Sequence, residues 1–160
     1  MIFYNGFWMV WLTVIVAAAL SLLPLPDSIA FYRPAWVVMV LVFWNFHLPQ
    51  HHGLVFAWTL GLGIDILYDS TMGQHAMAML FAGVAIGPVS RHFRSEQWWQ
   101  QSVMVFLVVI VYKLTALWIA SALGHKAPSL WYFMSALPSA LIWPFLAVWL
   151  RQFCKRFIAL

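Results

Sequence analysis

Four groups of side chains in this sequence could do chemistry: the acids Asp65 and Asp69, the amine of Lys113, the histidines His47, His51 and His52, and Arg33 beside Trp36. Carboxylates four residues apart on a helix can approach closely enough to share a proton, as an acid–base dyad requires. Asp69, however, precedes Ser70 in a turn-forming stretch, where Asp bonds nearby backbone amides instead. The histidines have the composition of a metal cluster without its geometry. Pro49 breaks the helical spacing that would converge them, and no fourth ligand follows, so they read as interfacial side chains. His75 and His125 stand alone near helix ends. With no phosphate-binding glycine loop and no nucleophile elbow, the sequence points to no catalytic, cofactor or metal residues.

The structural reading of Asp65 is stronger. Ala57, Gly61, Asp65 and Asp69 recur every four residues, which on a helix makes one stripe. Small side chains let two backbones approach, and an unpaired charge in lipid costs at least ~2.5 kcal/mol. The stripe is therefore expected to face protein or water. At 1.5 Å per residue, Asp65 lies ~18 Å beyond Gly53 and Lys113 ~21 Å beyond Trp99. The two charges could pair inside the bundle at a shared depth, or each could snorkel to the outer interface. Gly83 and Gly87 offer a second close-packing face. Arg33-Pro34-x-Trp36 places a cation and an indole at the outer surface, either as an anchor or as a docking point for a partner's stem.

The elements that position these groups follow from composition. Only 8% of residues are charged against 65% hydrophobic, far from the quarter charged in a soluble domain. Val37–Val42 and Val103–Val111 show no period-two alternation, which argues against a barrel. The fold class is all-α: a polytopic membrane protein forming one domain, 1–160, with six transmembrane helices at about 7–23, 34–48, 53–68, 73–89, 98–123 and 130–150. The second is short for a hydrocarbon core of ~30 Å. It spans a thinned site, begins earlier near Ile29, or sits deep among the others. Pro138 and Pro144 are expected to interrupt the sixth. No cleavable signal and no internal repeat is apparent. Cys154 excludes an internal disulfide and lies in a basic stretch, as a bystander thiol or a palmitoylation site. With both termini cytoplasmic, Arg91, Arg94, Arg151, Lys155 and Arg156 fall inside and Arg33 and Lys126 outside, the orientation that the positive-inside rule prefers.

The succession Pro24-x-Pro26-Asp27, Arg33-Pro34-x-Trp36, Trp44-x-x-x-Leu48-Pro49, Gly61-x-x-x-Asp65, Ser70-Thr71-x-Gly73 and Trp99-Gln100-Gln101 resembles the MreD family of rod shape-determining proteins from Gram-negative bacteria. Trp143-Pro144 before a basic tail fits as well, and the match covers nearly the whole chain in order. The resemblance implies a fold similar to the six-helix substrate-binding subunits of energy-coupling-factor transporters. It also implies an inner-membrane scaffold, not an enzyme, that binds MreC and through it joins MreB, RodA and a class B penicillin-binding protein. It brings no catalytic residues and no cofactor. Gln50, His51 and His52 stand where family members often place a basic residue. An alternative is a membrane substrate-binding subunit for a vitamin or a lipid-linked wall precursor, which a polar cavity open to the periplasm would favour. Fold likeness alone does not choose between them.

Overall fold

The computed structural model describes residues 3–24, 26, 32–47, 53–92, 98–124 and 130–157. The described residues are helical and contain no strand: α1 (Phe3–Leu22), α2 (Trp36–His47), α3 (Gly53–Leu67), α4 (Gln74–His92), α5 (Trp98–Ala122) and α6 (Ala136–Phe157). A 3₁₀ segment, Leu130–Ser135, leads into α6. Pro138 falls in the first turn of α6, where a missing N–H costs nothing, and only Pro144 lies in the helix interior. The basic stretch from Arg151 continues α6 to Phe157 rather than ending it, since Arg, Lys and Gln are good helix formers.

At 12 residues α2 is only about 18 Å long. It touches every other helix, and all eight residues from Val37 to Trp44 are buried. A helix apolar on all sides has no face for water, and packing it on all sides answers that. This burial fits the account that puts the segment deep among its neighbours; the earlier start near Ile29 lies outside the described residues. Two polar groups on it and just before it are met by neighbours, while Asn45 Nδ2 is buried without a partner. Trp44 Nε1 donates to Thr13 Oγ1 on α1 at 2.9 Å, and Ser139 Oγ on α6 accepts the Ala35 N–H at 2.9 Å. Thr13 and Ser139 pass their own protons to backbone carbonyls, so these buried hydroxyls are satisfied.

Among the described residues, two stretches, Trp98–Ala122 and Trp131–Lys155, are long and apolar enough to cross a membrane; the other apolar helices are shorter. Large apolar side chains point outward around the bundle, among them Trp8 and Ile15 on α1, Ile66 on α3, Val84 on α4, Trp118 on α5 and Phe145 on α6. So many exposed aromatics and aliphatics belong against lipid or other protein. Cys154 is buried, which does not suit the lipidation reading.

Candidate functional site

Asp65 lies on the last turns of α3 and is 1% exposed. The chain leaves α3 through a left-handed residue, Asp69 (φ 48°), and the Ser70 N–H returns to the Asp65 carbonyl at 3.1 Å. That six-residue closure with a left-handed C′ position is a Schellman motif. Gly73 follows at φ 98°, a conformation that suits glycine, and α4 begins at Gln74. The reversal brings the N-terminus of α4 back to the Asp65 side chain.

The carboxylate then caps α4. Oδ2 accepts the Gly73 N–H at 2.8 Å and the Ala76 N–H at 3.3 Å, and Oδ1 accepts the His75 N–H at 2.8 Å. Oδ1 also accepts the Ser70 hydroxyl at 2.9 Å and lies 2.9 Å from His75 Nδ1. The first amides of a helix have no partner within it and carry partial positive charge, so a carboxylate there meets both needs. One turn earlier, Gly61 permits the approach. A Cβ at Gly61 would stand 2.3 Å from Ala76 Cα and 2.6 Å from the His75 carbonyl oxygen. A further turn back, Ala57 is buried and meets Gly83 of α4, where an added Cβ would lie 3.1 Å from the Ala57 methyl. Glycine lets the two backbones touch, and aspartate grips the end.

Several expectations change. Asp69 lies past the end of α3, exposed, and does not extend the stripe, because the left-handed turn breaks the helical period. Asp65 and Lys113 form no ion pair. The Asp65 carboxylate is occupied by α4 and His75, and the Lys113 ammonium sits 3.9 Å over the ring centre of Tyr132. Ser70, His75 and Asp65 do not make a hydrolytic relay, since serine and aspartate both meet the same ring atom, Nδ1. Arg33 turns inward: its two terminal nitrogens donate to the carbonyls of Ser21 and Leu23 at 2.7 and 2.6 Å, capping the end of α1. Trp36 packs partly buried against the core. A Cβ at Gly83 would meet Ala57, whereas one at Gly87 would meet nothing within 4 Å among the described residues. His51 and His52 lie outside the described residues, as does the side chain of His47.

His75 was the missed partner. It sits ten residues beyond Asp65, a distance that means nothing along one helix. Two helix ends joined by the six residues 68–73 do bring such positions together, and five of those six were visible as the turn Asp69–Gly73.

Beside the capped hairpin, where α1 and α3 end and α2 and α4 begin, lies a cavity of about 530 Å³. That volume falls in the range of small-molecule sites. Its polar lining comes from Arg33, Tyr68, His75, Tyr112, Lys113 and Tyr132, with Ser21, Ser70 and Ser135 beside them. Ile64, Val38 and Met79 supply an apolar side.

The model of the rod shape-determining protein MreD matches residues 1–155 of the sequence. The chain belongs to the MreD family. A rod shape-determining protein MreD from Haemophilus influenzae is 28% identical over 151 residues, covering 91% of this chain and 93% of that protein. No solved structure matches the chain. Family membership together with the apolar helices makes this a membrane protein with a role in determining rod shape. The MreD family is one of shape-determining proteins, and no enzyme family is indicated.

Proposed function

We propose that the protein is a non-catalytic inner-membrane scaffold, its six helices embedded with both termini cytoplasmic, that binds MreC and helps couple it to the peptidoglycan synthase and MreB. The observation that carries this reading is the match to the family over residues 1–155. The outward apolar side chains support it, since a scaffold in lipid recruits partners through helix faces. Asp65 then acts within the subunit: it holds α3 to α4 and keeps the platform rigid, and the partner contact falls on another surface.

Affinity purification of the tagged protein from cross-linked membranes in mild detergent, followed by identification of bound chains, tests the proposal. MreC should be recovered with the wild type, and depletion of the protein should round the cells. Recovery of no MreC from membranes that contain it would refute the scaffold reading. A second reading, a membrane substrate-binding subunit for a vitamin or a lipid-linked wall precursor, draws on the 530 Å³ cavity. In the orientation proposed, that cavity lies on the periplasmic side. Recovery of an organic ligand and an ATPase module would favour this second reading instead.

A further inference from the structure

The cavity carries a charge problem that the capped hairpin does not. Lys113 belongs to α5, one of the two helices long enough to cross a membrane, and its ammonium faces an aromatic ring rather than an acid. Arg33 lines the same cavity. Among the described residues no carboxylate lines it, and Asp65, which meets the lining residues Ser70 and His75, is committed to α4 and His75. Basic side chains at membrane depth pair or reach water, and two facing one cavity without an acid call for an anion.

Unused donors at the same place point the same way. Arg33 Nε and Ser135 Oγ are buried without a hydrogen-bond partner, and both residues line the cavity; Ser135 is 3% exposed. Buried polar atoms are nearly always satisfied, so an orphaned hydroxyl and an orphaned guanidinium N–H in one cavity mark a missing acceptor. The phenols of Tyr112 and Tyr132 add donors around them, while that of Tyr68 donates to the Ser21 carbonyl at 3.4 Å. A carboxylate offers two oxygens and one charge. A phosphate or diphosphate group offers more oxygens and balances two cations.

We propose that this cavity binds a phosphate-class anion, held by Lys113 and Arg33 with Ser135, Tyr112 and Tyr132 as hydrogen-bond donors. The anion comes either as a free phosphate compound or as the headgroup of an anionic lipid whose chain leaves past the apolar side. The site requires neither MreC binding nor transport, so either can fail without the other.

The test uses the full chain in an uncharged detergent and in lipid nanodiscs. Inorganic diphosphate is titrated in detergent while the unfolding temperature is followed. In parallel, stability in phosphatidylcholine nanodiscs is compared with and without phosphatidylglycerol. Stabilisation by diphosphate identifies a free anion as sufficient, and stabilisation by phosphatidylglycerol alone identifies a headgroup; either supports the site. Lys113→Met should weaken the effective probe about ten-fold and Ser135→Ala about three-fold, whereas Lys113→Arg should stay within about three-fold of wild type. Should the methionine variant fail to fold, the serine and arginine variants decide. Stabilisation by neither probe overturns the proposal. So does equal affinity in every folded variant, or a cavity filled by a partner's polypeptide when cross-linked through Lys113.

Discussion

The end of α3 and the middle of α5 handle a buried charge in opposite ways. Asp65 is closed: its two oxygens meet three backbone amides, a hydroxyl and an imidazole, all supplied by the turn and helix that follow it. Lys113 is open: its ammonium lies over a tyrosine ring beside a cavity that also contains Arg33 and two orphaned donors. The first arrangement is complete within one chain and serves folding. The second is complete only with something added. In an apolar chain of this kind, the satisfied charge marks structure and the unsatisfied one marks binding.

Substitutions at the two places should separate these roles. The largest effect is expected from Asp65→Leu, which strands the α4 amides and the His75 side chain; breaking such a buried set costs about 3–5 kcal/mol, read by unfolding in mixed micelles. Gly61→Ala comes next. Its methyl meets backbone rather than a movable side chain, and prising α3 from α4 should cost about 1–3 kcal/mol in the same assay. Lys113→Met should change stability by no more than about 1 kcal/mol, mostly the lost cation–ring contact, while weakening the response to anions about ten-fold. Gly87→Ala, with open space around it, should be neutral or stabilise the isolated subunit by up to about 1 kcal/mol. In that variant a drop in MreC recovery without loss of stability would place the partner on α4. Were Lys113→Met as damaging as Asp65→Leu, the contrast between the two sites would collapse.

Much of the helix layout was legible in the sequence because apolar runs and punctuation coincide. Gly53 and Asp69 bracket α3, Gly73 introduces α4, and Trp98 and Gly124 bracket α5. The misplaced ends have physical causes. The extension of α6 through Arg151 and Lys155 was hidden because loss of apolarity was read as loss of helix. The 3₁₀ entry to α6 has no periodic signature short enough to detect. At the site, the four-residue spacing of Ala57, Gly61 and Asp65 could be read as one face, but not what lay against it. Spacing within a helix sets which side chains share a side. Which neighbour covers that side depends on tertiary packing, so His75 was overlooked and Lys113 was offered in its place. The inward turn of Arg33 was invisible for the same reason, since the Ser21 and Leu23 carbonyls it caps become acceptors only where α1 stops.

The clamp between Asp65 and the start of α4 can be measured at the amides themselves. Hydrogen exchange on the full chain in detergent should find the N–H groups of Gly73, His75 and Ala76 protected in the wild type. They should become fast-exchanging in Asp65→Leu, while the centre of α5 stays protected. Unchanged protection at those three amides in the variant would contradict the assignment.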